Sequence, residues 1–441
     1  MKKGIIILLV ISLILRLFLL SQTHEVWWDA SVYLSMGKAL FSNYQIGIWE
    51  PLRPILWSLA LGFLWEIGLD PIFFGNILQI ILSLGIIYLT YLIARHHRNE
   101  NEALIAAVII AFTPVFLEFN FRLYTEIPSV FFGLLAIYLL RKEKYLSSGF
   151  LAGLSFLAKF PSGIIIILQS LFTEFKKIKN LILGFLIAVI PYFVYNYLKY
   201  NDAFLPIKEG KYIIQYAGIW LFQQSWDFYL KEFLRQNFFY VFAIIGIFLI
   251  FKKRTAIIPL TGLALLAYFS LEPHKEPRFM ILFLPYFAIM AAYGLSKIKI
   301  KNMALIAVIV SLAFLAVNFK PELPFSEAET EFHTFGFNDT VNGEVLTSTP
   351  MIKLAEKTKV ISIYYMVFDT NLSNKWNRYI EKNHKNISYI FIDTCIGGTL
   401  CPPWDNKCEK ARDNLMNTSK RLMPKHFYLN ENNCEYHVFY R

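Results

Sequence analysis

The chain has 441 residues, 56% of them hydrophobic and 17% charged, with a mean hydropathy of +0.46 and a formal net charge of +11. That balance excludes a soluble enzyme, a fibrous protein and a disordered scaffold, and reads as a polytopic membrane protein. Its Lys and Arg fall in short clusters between apolar runs and not on one face of a folded domain, so they read as topogenic charge and give no nucleic-acid partner.

Lys2 and Lys3 followed by Gly4 to Leu20 look like a signal peptide, but no small-residue cleavage site follows and further apolar segments do, so a retained anchor is expected. A helix crosses the hydrocarbon core with about 20 residues. Clear candidates are Ile5 to Ser21, Ile72 to Ala94, Leu181 to Leu198, Phe279 to Leu295 and Met303 to Phe319. Ala103 to Leu117, Ile127 to Leu140, Phe238 to Phe251 and Ala256 to Leu271 are shorter. The basic clusters Lys2/Lys3, Arg95/Arg98, Arg141/Lys142/Lys144, Lys176/Lys177/Lys179, Lys252/Lys253/Arg254 and Lys297/Lys299/Lys301 should all be cytoplasmic. Successive clusters are then separated by an even number of crossings. Leu52 to Ile67, with Arg53, Trp57, Trp65 and Glu66, is therefore expected to lie along the membrane surface. Tyr145 to Phe172, interrupted by Lys159-Phe160-Pro161, is expected to be a hairpin with Lys159 at its outer tip.

The expected fold is an all-α polytopic bundle of about eleven transmembrane helices over residues 1–319, with interfacial helices in the first outer loop. It would sit in the plasma membrane with a cytoplasmic N-terminus. Residues 320–441 are less apolar and read as a small extracellular α/β domain, with strands at Val360 to Val367 and Ile387 to Ile392 and a helix around Met351 to Lys357. All four cysteines, Cys395, Cys401, Cys408 and Cys434, lie in this tail. An even set in an oxidising compartment suggests disulfides, with three connectivities open; zinc is the alternative, but no Cys-x2-Cys spacing supports it. Sequons at Asn338, Asn371, Asn386 and Asn417 accord with an outer placement.

Ionisable groups at the mouth of a helical bundle are costly unless used, which directs attention to four loops. Asp29 follows Trp27-Trp28 and opens an amphipathic stretch; it is either the N-cap of this surface helix, with the two Trp as interface anchors, or a catalytic carboxylate. Glu50 and Arg53 flank Pro51-Leu52, as an ion pair or as a metal or sugar ligand beside a phosphate ligand. Glu126 begins a span, where the helix dipole stabilises it. His274, Lys275 and Arg278 form a charged loop able to clamp an anion.

In order along the chain, Asp29 followed by Tyr33, Glu50-Pro-Leu-Arg-Pro54, Thr125-Glu-Ile-Pro128, Gly153-Leu-Ser-Phe-Leu-Ala-Lys159-Phe-Pro161, and His274 with Arg278-Phe-Met-Ile-Leu-Phe-Leu-Pro285 resemble the C-type membrane glycosyltransferases. Among these, the likeness is to the branch of dolichyl-phosphate-mannose protein mannosyltransferases and lipid A aminoarabinose transferases. The resemblance covers roughly residues 1–320 and implies transfer of a sugar from a polyprenyl phosphate to a glycan, protein or lipid acceptor on the outer face. It gives Asp29 the role of orienting or deprotonating the acceptor hydroxyl, with Glu126 as a second acid. Arg53, Lys159, His274, Lys275 and Arg278 would bind the donor phosphate, and Glu50 would be a ligand to a divalent metal. Two departures stand out. Ala30 occupies the place where many relatives carry a second acid, and the loop Tyr200 to Asn237 lacks the His of a family-like metal site.

A transporter would also bury ionisable residues, but near the bilayer midplane on broken helices, whereas here the acids cluster on one face. A structural envelope protein accounts for the tail but not for acids and bases in four separate loops.

Overall fold

The computed structural model of the chain describes residues 2–22, 25–96, 99–217, 221–250, 255–298, 302–321, 323–363, 370–395, 399, 401 and 404–441. His24, Arg98, the cluster Lys252/Lys253/Arg254, Lys299, Lys301 and the stretch 364–369 that carries Val367 lie outside the described residues. In chain order the elements begin with α1 (Lys2–Leu20), α2 (Trp28–Phe41), β1 (Gly47–Ile48), α3 (Leu56–Glu66), α4 (Pro71–Arg95), α5 (Glu100–Ala111) and α6 (Pro114–Glu118). They continue with α7 (Glu126–Arg141), α8 (Tyr145–Ala158), α9 (Ile164–Leu171), α10 (Phe175–Tyr200), α11 (Leu205–Ala217), α12 (Phe228–Gln236), α13 (Ala243–Ile250), α14 (Ile257–Leu271), α15 (Leu284–Leu295) and α16 (Met303–Asn318). The last part alternates: α17 (Glu327–Thr334), β2 (Glu344–Thr347), β3 (Lys359–Ser362), α18 (Thr370–Asn383), β4 (Ile387–Asp393), α19 (Asn406–Leu422), β5 (Lys425–Glu431) and β6 (Cys434–Tyr440).

Two compact units result. The first is Met1–His24, Leu52–Trp57 and Gly75–Glu322; the second is Glu25–Pro51, Ser58–Phe74 and Leu323–Arg441. The second unit differs from the expected 320–441 domain by taking in two segments of the first loop. The cause lies in pairing: β1 joins β3 in parallel, with Gly47 opposite Lys359 and Ile48 opposite Val360, and Ile48 is fully buried.

Among the described residues, Lys3–Leu20, Pro71–Arg95 and Phe175–Tyr200 are long and apolar enough to cross a membrane, and the pair Glu100–Ala111 and Pro114–Phe121, bent by 62°, makes a fourth if it is one span. Pro114 lacks the N–H that would continue α5, which accounts for the bend. The other apolar helices have 10–17 residues. The 3-10 turn Pro277–Leu282 divides the run Phe279 to Leu295 that the sequence presents as continuous, and the chain also breaks at Lys159 and at Asn237. Within the first unit α15 is buried on every side, as an apolar helix at the centre of a bundle must be.

Tyr145 to Phe172 folds back at Lys159, whose backbone is extended (φ −153°, ψ 115°), and a 3-10 turn over Phe160–Gly163 leads into α9. Ser129 Oγ of α7 bonds Ser162 Oγ at 2.6 Å and donates to the Ser155 carbonyl at 3.0 Å, while Gln169 Nε2 donates to Ser148 Oγ at 3.1 Å. Residue 155 thus lies by 162 and 148 by 169, the register of antiparallel arms, and Lys159 is the tip. On its other side α8 meets α10 backbone to backbone. A Cβ on Gly149 would sit 1.8 Å from the Leu181 carbonyl, and one on Gly184 2.0 Å from that of Leu146. Small residues give helices in an apolar bundle this approach.

The second unit is built on a six-stranded sheet of order β1-β3-β2-β4-β6-β5, parallel from β1 to β4 and antiparallel from there on. Alternate side chains divide between two cores, as the pleat requires. Ile48, Val345, Val360, Phe391 and Val438 pack with Phe332 of α17, whereas Leu346, Ile390, Ile392 and Phe439 pack with Ile380 of α18 and Leu415 of α19. Of the three open connectivities the structure has Cys395 with Cys434 and Cys401 with Cys408. The expected helix at 351–357 is a 3-10 turn, Lys353–Glu356.

His333 of α17 is 4% exposed, and burial, aided by Lys353, lowers its pKa from the ordinary 6.5 to about 4. Between those values the unfolded chain binds a proton that the folded unit refuses, so stability falls as pH drops from 6.5 to 4. The full effect is about 3 kcal/mol. Thermal unfolding across that window should show a smaller acid loss in His333→Gln than in wild type; equal slopes would remove His333 as the cause.

Candidate active site at one end of the helical bundle

The loop before α7 brings Glu126 to the helix N-terminus, where the dipole favours a carboxylate. Leu123 in that loop has φ +52°, a left-handed conformation that costs a branched residue about 1–2 kcal/mol. Neighbouring elements hold the loop in place. Trp57 Nε1 donates to the Leu123 carbonyl at 2.7 Å, and Gln79 Nε2 of α4 donates to that of Tyr124 at 2.7 Å. Further back, Arg16 of α1, fully buried, donates through Nε to Ser83 Oγ at 2.9 Å and to Asn120 Oδ1 at 3.2 Å. Reading α1 as a plain apolar span passes over this charge, although an Arg inside such a run is itself the signal of a buried polar contact.

Glu126 is 1% exposed and forms an ion pair through Oε1 with Lys159 at the hairpin tip. Arg278 Nε lies 3.9 Å from the same oxygen. The guanidinium sits over the Tyr124 ring at 4.7 Å, and the Lys159 ammonium over Phe279, also at 4.7 Å. Glu126 Oε2 is buried with no hydrogen-bond partner among the described residues, and so is His274 Nδ1. Glu276 completes the cluster. Its Oε1 accepts from Arg278 Nη2 at 2.6 Å and lies 2.6 Å from His274 Nε2. Glu276 is not among the residues nominated from the sequence, yet it stands between His274 and Arg278 in the charged loop, and a carboxylate flanked by two cationic side chains is the group to expect between them.

Lys275 behaves differently from its neighbours. Its ammonium donates to the Gln224 carbonyl at 3.1 Å and its N–H to that of Phe222 at 3.0 Å, while the His274 ring stacks on Phe222 at 4.4 Å. Burial pushes its pKa down, opposed by Glu272. The expected three-residue clamp thus divides: His274 and Arg278 share Glu276, and Lys275 fastens the 222–224 segment. The backbone of Arg53 accepts a hydrogen bond from Tyr192 Oη at 3.4 Å, and Tyr192 faces the Phe160 ring beside Lys159 at 6.4 Å.

Asp29 and Glu50 belong to the second unit. Asp29 is buried in the first turn of α2, whose N-cap is Trp27 and not Asp29, so the capping reading does not hold. The two Trp are likewise packed inside this unit: Trp27 lies against Phe325 at 4.6 Å, and Trp28 packs on the sheet core. Glu50 follows β1 and is 2% exposed. Among the described residues no group of three or more His, Cys, Asp or Glu side chains is gathered to hold a metal ion.

Removing Lys159 leaves Glu126 as a buried carboxylate with only the longer 3.9 Å contact to Arg278, and breaking a buried pair costs about 3–5 kcal/mol. Lys159→Met should therefore destabilise strongly, and the double variant Lys159→Met/Glu126→Leu should regain most of the loss in denaturation of the detergent-solubilised protein. Additive effects of the two substitutions would show that the pair is not coupled.

Residues 52–197 match the family described as dolichyl-phosphate-mannose-protein mannosyltransferase. Over 320 residues the chain is 24% identical to an uncharacterized protein of Aquifex aeolicus (strain VF5), covering 68% of this chain and 75% of that one. It superposes on the crystal structure of ArnT from Cupriavidus metallidurans bound to undecaprenyl phosphate with a TM-score of 0.66 at 9% identity, covering 99% of this chain and 98% of that chain. It also superposes on the Archaeoglobus fulgidus oligosaccharyltransferase tethered to an acceptor peptide, with a TM-score of 0.61 at 14% identity over 97% of this chain and 73% of that one. The chain therefore has the fold of the C-type membrane glycosyltransferases, as the order of its loop motifs implies.

Proposed function

We propose that the chain transfers a monosaccharide, a hexose or a pentose, from a polyprenyl monophosphate donor to a hydroxyl of a glycan, protein or lipid acceptor. The observation that carries this reading is the set of buried Glu126 with the partly buried Lys159, Arg278 and Glu276 at one end of the first unit, gathered from three separate parts of the chain. Two cations held by two carboxylates can turn to a phosphodiester that arrives with one negative charge and leaves as a monoester with a second, and in a low-dielectric setting the stabilisation of that growing charge is worth far more than in water. The fold it shares with ArnT and with the oligosaccharyltransferase supports a lipid-linked donor.

In the reaction the acceptor oxygen attacks the anomeric carbon, the bond from that carbon to the phosphate oxygen breaks, and polyprenyl phosphate leaves with the electron pair. The acceptor proton goes to a carboxylate. Asp29 has that role in this reading, on the strength of the resemblance in the first loop. Lys159 and Arg278, with Arg53 and His274, meet the charge that grows on the leaving phosphate, and Glu126 keeps Lys159 oriented. A soluble nucleotide sugar offers no apolar tail to a membrane-embedded site, whereas a polyprenyl donor presents a tail and one phosphate.

Purified protein should transfer sugar from a polyprenyl monophosphate donor and not from the matching nucleotide sugar. Asp29→Asn should abolish turnover in a folded protein, Glu126→Gln should lower it less, and Arg278→Ala should raise the donor KM by about tenfold or more with little change for acceptor. Turnover with the nucleotide sugar alone, or an unchanged donor KM in Arg278→Ala, would overturn the proposal.

A further inference from the structure

We infer that the C-terminal α/β unit is the positioning device for the helix that carries Asp29, so that its core residues set the turnover number without touching substrate. The inference rests on the catalytic role proposed above for Asp29. Its physical basis lies within the second unit, where α2 is clamped by tail residues at its start and by β1 along its length.

At the start, Trp27 and Trp28 directly precede Asp29. Trp27 packs on Phe325, which in turn meets the His333 ring at 4.9 Å, and Trp28 packs on the core formed by Ile48, Phe332, Val345, Val360 and Phe391. Further along, β1 continues the sheet and touches the helix. Gly47 N donates to the Thr358 carbonyl at 3.0 Å, and a Cβ on Gly47, where φ is +88°, would lie 2.3 Å from the Ser35 carbonyl and 3.3 Å from Ala39 N of α2. The opposite side of α2 crosses α3 at Gly37 and Gly62, where a Cβ on Gly37 would lie 2.6 Å from the Ser58 carbonyl. Asp29 to Gly37 are all buried. A helix packed on the sheet, threaded against a strand and closed by glycine contact has little freedom to shift by itself.

The consequence is that displacement of the tail core displaces Asp29. A misplacement of about 1 Å in a reacting group costs about 100-fold in rate. Phe325→Ala removes the support of Trp27, and Gly47→Ala forces the strand away from Ser35; each should lower kcat by about 10- to 100-fold while the donor KM stays within about twofold, because the phosphate-binding residues belong to the other unit. Phe325→Tyr should restore kcat to within about twofold of wild type.

Wild-type protein supplies a second measurement that does not depend on the variants folding. In native-state hydrogen exchange, the amides of residues 29–41 should open with the same free energy as those of β4 and β6, as one cooperative unit. If α2 opens separately from the sheet, or if folded Phe325→Ala and Gly47→Ala both turn over within about twofold of wild type while Asp29→Asn is inactive, the positioning role is wrong. An active Asp29→Asn would instead remove the catalytic assignment on which the inference rests.

Discussion

A carboxylate with 1% exposure at the end of an apolar bundle exists as an anion only if a cation reaches it, and Glu126 obtains one from Lys159. Much of the first unit can be traced from that pair. Lys159 reaches Glu126 because α8 and α9 fold back on each other and lie against α7, and the hydroxyls of Ser129, Ser155 and Ser162 lock the three elements just below the charges. The hairpin is in turn seated by α10, which approaches as closely as it does only because Gly149 and Gly184 carry no side chain. Glu126 is aimed by a loop with an unfavourable Leu123 conformation, tolerated because Trp57 and Gln79 hold it from two sides.

What was legible in the sequence follows from how local each signal is. α1, α4 and α10 announce themselves by length and hydropathy, since a spanning helix satisfies its backbone within one segment. The fold-back at Lys159 is equally readable, because a charge beside Pro161 in an apolar run is expensive anywhere but at a turn or a paired site. β1 is another matter. Two residues, Gly47 and Ile48, have no periodicity to detect, and their strand character comes wholly from β3, more than three hundred positions away. For the same reason Trp27 and Trp28 resemble membrane-interface anchors in sequence, whereas their partners, Phe325 and the sheet core, appear only once the tail has folded.

The site itself was legible in kind and less so in arrangement. The sequence singles out charged residues in loops between apolar helices, and in the structure Glu126, Lys159 and Arg278 meet, with His274 joined to Arg278 through Glu276. Charge alone gives no direction, however. Lys275 has the same neighbours in sequence as His274 and Arg278 but turns to the 222–224 backbone, and Glu276 takes the place between its flanking cations. Adjacent residues in an extended stretch point to opposite sides, so a run of charges divides between two partners and does not form a single clamp.

That division bears on how a phosphate would be received. Two partly buried cations beside an apolar bundle are costly without counter-charge, and Glu126 and Glu276 serve as their partners before any ligand arrives. A phosphate entering between Lys159 and Arg278 must loosen those contacts, and its net gain is the difference between the new pairing and the old one. On the proposed reading, the cost of loosening is smallest at one point. Arg278 already spans two carboxylates, one at 2.6 Å and the other at 3.9 Å, so its longer contact can be given up at small cost while the shorter one keeps the side chain aligned over Tyr124. On the proposed reading, Arg278 is therefore the cation that turns to the leaving group, and Lys159, held by its closer pairing with Glu126, is the fixed charge against which it moves.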